Sequence, residues 1–401
     1  MIKDAIAPYA FKISDYPLIL SIENHCSLEQ QDKMADYMRD LLGDMLFTDP
    51  PDDAASAMPS PESLKKKILV KAKRLPPGKS SEDDLDEDEE EDEVDEKRAK
   101  KAKKISQKLS DCVNYIHAVH FPGFNVDTAK YYHMSSFGEK KTMDLLEDPE
   151  SALQFVRYNT RQISRIYPGA ARQDSSNLKI LPPWNAGCQI VALNYQTEDK
   201  QNFINAAKFA DNGQCGYILK PYFLRFPTAI QYSPLSPSGL SDVPLIVKIK
   251  IISGLSLPKP GGAVEGEIVD PYVKVRIRGH PDDEVDPESG DKINKGKTQS
   301  IKNNGFNPVW NEEFQFTVKV PALAFLDVKV KDFSQSGSDH DLGMFCCPLL
   351  TVLPGYRRAP LKSYERNRDL HPASLLLHIE INEHQWLPFN FTNPQIFSVL
   401  K

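Results

Sequence analysis

Short apolar runs alternate with amphipathic stretches through the first half of the chain. The strand-like runs are LILSIEN, KILVKAK, YYHMSSF, SRIYP and QIVALNYQ, and polar or cationic residues lie at or near the end of each. Runs of this kind are typical of buried parallel strands, because both faces of such a strand are covered. Residues Ser27 to Met45 predict an amphipathic helix, with Ser27 as the N-cap and Gln30 three residues later. The pattern therefore predicts a parallel α/β unit of about five strands.

The pattern changes after residue 243, where strands with alternating apolar and polar residues follow one another at short spacing. They are PLIVKIKIISG, DPYVKVRIRG, EEFQFTVKV, FLDVKVKDF and SLLLHIEINE. Alternation with a period of two gives each strand one buried and one solvated face, and turn residues separate the strands. This half of the chain predicts an antiparallel β-sandwich.

Charge is distributed unevenly along the 401 residues. The formal net charge is -7, but residues 82–96 hold 13 acidic residues out of 15, and residues 97–104 hold six basic ones. Such a block cannot bury enough apolar surface to offset its chain entropy, so residues 76–108 are predicted to form a disordered linker. The remainder is close to neutral, so its bulk charge indicates no nucleic-acid partner, and nothing in the sequence implies an obligate oligomer.

The cysteines and the apolar runs limit the class of protein. The six cysteines show no metal-ligand spacing, and no apolar run approaches the roughly 18 residues that a membrane span requires. We therefore expect reduced thiols, a cytoplasmic location and only peripheral contact with a membrane.

Candidate binding residues lie near the ends of the predicted parallel strands. Ser136, Arg165 and Tyr167 close two of these strands, and alternation places Lys71 and Lys73 on one face of another. A hydroxyl, a guanidinium, an aromatic ring and two ammonium groups suit a phosphorylated ring. Taken singly, an arginine or a tyrosine at the end of a strand is more often structural, and a solvated edge strand is the alternative for the strand that carries the lysines.

Longer strings carry a resemblance to a known family. SSFGE, SRIYP, DSSN, WNAGCQIVALNYQT and NGQCGYILKP occur in this order and closely resemble the Y half of the catalytic barrel of phosphoinositide-specific phospholipase C. LSIENHCSLEQQ resembles the end of the X half of that barrel, and GEIVDPYVKV with NNGFNPVWNEEFQFTV resembles a C2 domain. A C2 domain near the C-terminus is most similar to the delta type. The resemblance implies an incomplete TIM-type barrel, with about five of its eight strands, followed by an antiparallel C2 β-sandwich.

The resemblance also divides the chain into segments. They are the C-terminal part of the X half at 1–75, the X–Y linker at 76–108, the Y half at 109–226, a second linker at 227–243, the C2 domain at 244–386 and a tail of unassigned role at 387–401. In the family the X–Y linker covers the active-site mouth and restrains activity. A solubilising spacer is the alternative for the acidic run.

Particular residues match the substrate-binding positions of the family. Lys71 and Lys73 match lysines that hold the ring phosphates of the substrate. Ser136 and Arg165 match residues that contact a ring phosphate, and Tyr167 matches a tyrosine that packs on the inositol face. The resemblance therefore implies one site for an inositol headgroup.

Calcium is the cofactor that the resemblance implies. Glu23 matches a ligand of the catalytic calcium, and Asp270 and Asp332 match two calcium ligands of C2 domains. The family's DxD motif reads Asp332-Phe333-Ser334 here, so one carboxylate is replaced by a hydroxyl. Asp339 or Asp341 could substitute for it. Because fewer anionic ligands lower calcium affinity, we expect a weak or calcium-independent C2 domain.

The implied activity is hydrolysis of phosphatidylinositol 4,5-bisphosphate to diacylglycerol and inositol trisphosphate at the inner face of the plasma membrane. The family's two catalytic histidines belong to the first part of the X half, and this chain begins after them. His25, His117, His120 and His133 lie elsewhere in the pattern and cannot be assigned that role. We therefore expect an N-terminally incomplete phospholipase that is inactive alone. The alternative is a non-catalytic protein that binds phosphoinositides or membranes.

Overall fold

The chain forms two compact units in the computed structural model. They are Met1–Thr197 with Phe209–Ala229, and Glu198–Lys208 with Ile230–Lys401. The structure describes residues 1–55, 57–76, 78–81, 104–124, 130–226, 232–236, 244–260, 268–287, 289–335, 337–363 and 368–382. The acidic run at 82–96 and the tail at 387–401 lie outside the described residues.

The first unit is built on a parallel sheet of six strands that stand in chain order, which makes it a partial α/β barrel. The strands are β1 (Leu18–Ser21), β2 (Ile68–Ala72), β3 (Ile116–Ala118), β4 (His133–Gly138), β5 (Ile163–Tyr167) and β6 (Ile190–Val191). Its helices are α1 (Ala7–Tyr9), α2 (Leu28–Leu42), α3 (Gln107–Ser110), α4 (Glu139–Glu147), α5 (Pro149–Tyr158), α6 (Leu181–Asn185) and α8 (Tyr222–Arg225). Helix α7 (Lys200–Phe209) belongs to the second unit except for its last residue. A π-helical turn at Ile2–Ile6 precedes α1, and 3-10 turns lie at Gly43–Met45 and Asn212–Gln214.

The sheet differs from the sequence prediction in two strands. The prediction of about five strands omitted β3, because a run of three residues carries too little periodicity to be recognised. QIVALNYQ predicted a long strand, but only Ile190–Val191 forms β6. The last ladder bond runs from the backbone N–H of Ala192 to the carbonyl of Ile166, one residue before β5 ends, and the backbone N–H of Asn194 donates to the side-chain oxygen of Asn177 at 2.7 Å.

The two faces of the sheet pack against different apolar clusters. Ile68, Val70 and Ala72 pack in a cluster with residues of α2 and α3. Leu69 instead packs with Ile116 of β3 and Met134 of β4 in a second cluster. The alternation that the sequence predicted for this strand is confirmed, because Ile68, Val70 and Ala72 share one face. Odd-numbered residues of β2 therefore face the other side of the sheet, which we call the interior face.

Helix α2 begins where the sequence predicted. The Ser27 hydroxyl accepts a hydrogen bond from the backbone N–H of Gln30, and the Gln30 side chain accepts one from Ser27, which completes a capping box. The helix ends at Leu42 rather than at Met45, because Gly43 has φ of 51° and the chain continues as a 3-10 turn.

A buried glutamine of α2 holds the chain on the far side of the charged run. Gln31 is 1% exposed; its Nε2 donates to the carbonyl of Lys104 and its Oε1 accepts from the backbone N–H of Ser106, both at 2.9 Å. The hydroxyl of Ser81 accepts from the backbone N–H of Gln107 at 3.0 Å. The chain segments on either side of the charged run therefore meet near α2.

The second unit is an antiparallel β-sandwich with the strand order β10-β7-β14-β13-β12-β11-β8-β9. Its strands are β7 (Leu245–Leu255), β8 (Pro271–Arg278), β9 (Lys295–Lys297), β10 (Val309–Val318), β11 (Phe325–Asp332), β12 (His340–Pro348), β13 (Gly355–Lys362) and β14 (Asp369–Ile381). Helix α9 (Pro281–Glu284) and the 3-10 turns Pro321–Leu323 and Leu349–Thr351 complete it. The inward residues of alternating strands, such as Val247, Val273, Val328 and Leu377, form its core.

The sequence predicted the sandwich and five of its strands. It missed β9, which has three residues, and β12, which is almost continuously apolar and lacks alternation. It also missed β13, where Pro360 and two arginines interrupt the pattern. These strands are identified only by the partners with which they pair.

We expect the change Gln31→Leu to lower the free energy of unfolding by about 2 kcal/mol or more, because it leaves buried backbone groups without a partner. These groups are the carbonyls of Cys26 and Lys104 and the N–H of Ser106. Gln30→Leu is the matched control, since it removes an exposed capping bond worth about 1 kcal/mol or less. Chemical denaturation of both variants measures the difference, and equal losses would contradict the prediction.

Candidate functional site

The carboxyl-terminal ends of β4 and β5 bring Ser136, Arg165 and Tyr167 together. Ser136 stands opposite Arg165 in the strand register, and Gly138 stands opposite Tyr167. The guanidinium carbon of Arg165 lies 5.2 Å from the centre of the Tyr167 ring, a distance typical of cation–π contacts. Ser136 is 9% exposed, whereas Arg165 and Tyr167 are half-buried. The three side chains therefore form one polar patch with an aromatic surface.

The lysines of β2 lie on the same face of the sheet. Lys71 is two residues from Leu69, and Ser136 is two residues from Met134; Leu69 and Met134 pack together on the interior face. Alternation therefore places Lys71 and Ser136 on that face, nearer to the carboxyl ends of the strands. Lys73 is the next position of this series, just beyond the last residue of β2. Lys71, Ser136, Arg165 and Tyr167 thus share one face and one edge of the sheet, and Lys73 follows directly after this edge. The roles of all five residues stay predictions.

Glu23 lies beyond the end of β1, in the series that begins with Ile19 on the interior face. Its side chain is 88% exposed, and one carboxylate oxygen lies 3.1 Å from Nε2 of His25. Calcium takes about six to eight oxygen ligands. Among the described residues no group of three or more His, Cys, Asp or Glu side chains could hold a metal ion. Glu23 therefore stays a predicted calcium ligand, and the described residues do not supply the rest of a calcium site.

Two histidines predicted to have no catalytic role lie on the other face of the sheet. His117 stands opposite both Ala72 of β2 and His133 of β4, and Ala72 packs in the cluster formed with α2 and α3. The two imidazole rings are 5.3 Å apart between centroids. Burial lowers the pKa of His117 to about 4. These rings therefore face away from Lys71 and Ser136.

An ion pair that the sequence analysis missed lies just past the ends of β4 and β5. Arg172 donates from Nε and Nη2 to the two carboxylate oxygens of Glu139, both at 2.6 Å. Glu139 is the first residue of α4. The hydrogen bond from Arg172 is the largest cause of the lowered pKa of Glu139. The string SSFGE contained this glutamate, but no sequence pattern connects it with Arg172.

In the sandwich, Asp270 and Asp332 meet through the backbone. The Asp332 carboxylate accepts a hydrogen bond from the backbone N–H of Asp270 at 2.7 Å. The Asp270 carboxylate accepts one from the backbone N–H of Asn303, also at 2.7 Å. Both carboxylates therefore bond the protein's own loops.

Asp339 and Asp341 are also engaged by neighbouring groups. The Asp339 carboxylate accepts from the hydroxyl of Tyr272 at 2.6 Å and from the backbone N–H of Ser334 at 3.1 Å. The bond from Tyr272 is the largest cause of the lowered pKa of Asp339. Asp341 forms an ion pair with Lys331 at 3.1 Å. The carboxylates named as C2 calcium ligands thus bond protein donors, and none belongs to a metal-binding group among the described residues.

The sandwich also carries a cluster of lysines that the sequence analysis did not single out. Lys274 stands opposite Lys297 on one side and Lys329 on the other, and Tyr272 stands opposite Lys331. Nζ of Lys297 lies 4.2 Å from the centre of the Tyr272 ring. Burial, followed by the charges of Lys331 and Lys297, lowers the pKa of Lys274. Alternation in DPYVKVRIRG and FLDVKVKDF was the signal, because it places Lys274, Lys329 and Lys331 on the face opposite the core.

Comparison with known proteins identifies three family domains along the chain. Residues 2–74 match the X domain of phosphatidylinositol-specific phospholipase C, residues 109–223 match its Y domain, and residues 245–363 match the C2 domain. The human 1-phosphatidylinositol 4,5-bisphosphate phosphodiesterase delta-1 is 41% identical over 395 residues, which cover 93% of this chain and 50% of that protein. The delta-4 phosphodiesterase of Xenopus laevis is 40% identical, with coverage of 94% and 51%.

The relatives also include proteins named as inactive. Human inactive phospholipase C-like protein 1 is 38% identical over 391 residues, which cover 94% of this chain and 34% of that protein. The chain thus spans about half the length, or less, of the curated relatives it matches.

A solved structure supports the same assignment. The crystal structure of S. officinalis PLC21 superposes with a TM-score of 0.78 at 36% sequence identity, covering 95% of this chain and 47% of that one. The strand order of both units, the three domain matches and this likeness agree. The chain therefore belongs to the phosphatidylinositol-specific phospholipase C family, with delta-type phosphodiesterases among its relatives.

Proposed function

We propose that the chain binds the phosphorylated inositol headgroup of a phosphoinositide at the carboxyl-terminal edge of its parallel sheet. The observation that carries this proposal is the adjacency of Ser136 and Arg165, with the Arg165 guanidinium beside the Tyr167 ring. In an intact phospholipase this site would serve the hydrolysis of phosphatidylinositol 4,5-bisphosphate to diacylglycerol and inositol trisphosphate. The names of the phosphodiesterase relatives support this substrate.

Each side chain of the site has a distinct task in this proposal. Arg165 presents planar donors that match two phosphate oxygens, and Ser136 adds a neutral hydrogen bond. Lys71 and Lys73 act as point charges for the remaining phosphate oxygens. Tyr167 offers an aromatic face to the apolar side of the inositol ring. An unphosphorylated headgroup would use the ring contact but not the cations.

Hydrolysis needs a general acid and base near the phosphodiester. The rings of His117 and His133 face away from the proposed site. We infer that turnover requires histidines and further calcium ligands from outside this chain, with Glu23 as one ligand. Bound calcium would stabilise the negative charge that develops at phosphorus. The chain's own residues would bind and orient the headgroup.

A second candidate function is phosphoinositide binding without turnover. The identity of 38% with inactive phospholipase C-like protein 1 favours it. The two candidates share the headgroup site, and release of inositol trisphosphate from vesicles separates them. Release by residues 1–401 alone would contradict both the second candidate and our inference about missing catalytic groups.

The second unit would contact an anionic membrane surface. Lys274 stands opposite Lys297 and Lys329, and the ion pair of Lys331 with Asp341 lies beside them. Cations therefore outnumber carboxylates around Tyr272, which favours an anionic partner. No helix in the described ranges is long and apolar enough to span a bilayer. We propose peripheral contact at the inner face of the plasma membrane, where anionic lipids concentrate.

We expect Arg165→Ala to weaken binding to vesicles that contain phosphatidylinositol 4,5-bisphosphate by roughly tenfold or more, because a charge-assisted hydrogen bond is worth about 1.5–3 kcal/mol. Binding to vesicles that contain unphosphorylated phosphatidylinositol should change little. Arg161→Ala is the matched control, since Arg161 is exposed and precedes β5. Sedimentation with the two vesicle types measures the effect. Equal losses of binding to both lipids would indicate that Arg165 has a structural role instead.

Ser334→Asp should raise the calcium affinity of the chain by roughly tenfold or more, because it restores the carboxylate of the DxD motif. The unchanged chain should show no micromolar calcium binding at the sandwich. Ser334→Asn is the control that adds a polar group without charge. Isothermal titration with calcium measures both, and micromolar binding at the sandwich of the unchanged chain would overturn the proposed calcium independence.

The acidic run would restrain access to the proposed site. Its carboxylates would compete with phosphates for Lys71, Lys73 and Arg165, and anionic lipid would repel them. Deleting residues 80–96 from a complete enzyme should therefore raise turnover on anionic vesicles. A linker of equal length in which serine and glycine replace the acids is the control. Unchanged turnover rates in both variants would indicate that the acidic run is only a spacer.

A further inference from the structure

A bidentate ion pair connects the loop that follows Tyr167 to helix α4. Tyr167 ends β5, and Arg172 lies five residues further along the chain. Its Nε and Nη2 each donate to one carboxylate oxygen of Glu139 at 2.6 Å, while its Nη1 donates to the hydroxyl of Ser176 at 2.9 Å. The Arg172 side chain therefore bonds another residue of its own loop and also the first residue of α4, which directly follows β4.

The ion pair lies one position beyond the proposed headgroup residues. Gly138 stands opposite Tyr167 in the register, and Glu139 follows Gly138 directly. The side chains of Glu139 and Arg172 are only 22% and 30% exposed. Solvent therefore screens the pair incompletely, and paired charge-assisted hydrogen bonds fix its geometry. The pair also neutralises a carboxylate that would otherwise repel an approaching phosphate.

A second set of hydrogen bonds connects the loop to the segment after β6. The backbone N–H of Asn194 donates to the side-chain oxygen of Asn177 at 2.7 Å, and Nδ2 of Asn177 donates back to the carbonyl of Asn194 at 3.3 Å. Nδ2 of Asn194 also donates to the carbonyl of Ser176. The loop is thus held from two sides. The ion pair and a longer hydrogen bond from the backbone N–H of Gly169 to Glu139, at 3.5 Å, join it to the start of α4, and the asparagines join it to the segment after β6.

We propose that Glu139 and Arg172 are positioning residues of the headgroup site, which rests on the proposed function. Their ion pair holds the loop so that the Tyr167 ring and the Arg165 guanidinium keep one orientation before the phosphates arrive. Groups that are ordered in advance lose less conformational entropy when they bind. The pair itself need not touch the headgroup.

The test uses residues 1–401 and two measurements. Hydrogen exchange across residues 168–177 requires no ligand, and isothermal titration with inositol 1,4,5-trisphosphate reports the affinity of the site. Glu139→Gln should accelerate exchange in this loop and weaken the affinity, each by roughly tenfold, because one charged partner of paired hydrogen bonds is lost. Arg172→Lys keeps the positive charge but loses the two parallel guanidinium donors, so loop exchange and affinity should change less than in Glu139→Gln, in the same direction.

Asp36→Asn is the matched control, because Asp36 forms an exposed ion pair with Lys108 far along the chain from the loop. It should change neither measurement. The proposal is overturned if Glu139→Gln lowers the melting temperature but leaves loop exchange and affinity unchanged. If the unchanged chain binds no inositol trisphosphate, the proposed function fails, and loop exchange alone decides whether the pair orders the loop. In that case, equal exchange rates across residues 168–177 in Glu139→Gln and in the unchanged chain overturn the proposal that the ion pair orders the loop.

Discussion

The register between β4 and β5 is the constraint on which the candidate site depends. It places Ser136 beside Arg165 and Gly138 beside Tyr167. Because side chains alternate between the faces of a strand, a slip of one residue in β5 would send Arg165 to the opposite face of the sheet. Ile166, which is fully buried, would then face the patch. Burial of the apolar residues thus specifies the position of the cationic ones.

The same separation of faces operates along β2. Ile68 and Val70 are buried against helices α2 and α3, so Lys71 must project to the interior face. The sheet therefore brings two cationic side chains, Lys71 and Arg165, to one edge, which is consistent with the anionic headgroup proposed for this site.

Carboxylates are used differently in the two units. Glu139 neutralises Arg172 beside the proposed headgroup site, where an unpaired carboxylate would oppose a phosphate. In the sandwich, Asp332 accepts a hydrogen bond from the backbone N–H of Asp270, and Asp339 accepts one from that of Ser334. Calcium would have to compete with these protein donors, which agrees with a sandwich that meets membranes through lysines rather than through the metal.

The amino-acid sequence by itself determined the fold class, the capping box of α2 and the face that Lys71 occupies, because periodicity and capping are local properties of the chain. Its resemblance to a family selected Ser136, Arg165 and Tyr167, which the structure then placed together. Only the tertiary structure decided that β3 joins the sheet, that QIVALNYQ yields a two-residue strand and that Glu139 pairs with Arg172. These features depend on partners distant in sequence, and local patterns contain no information about which partner a short strand or a single charge will meet.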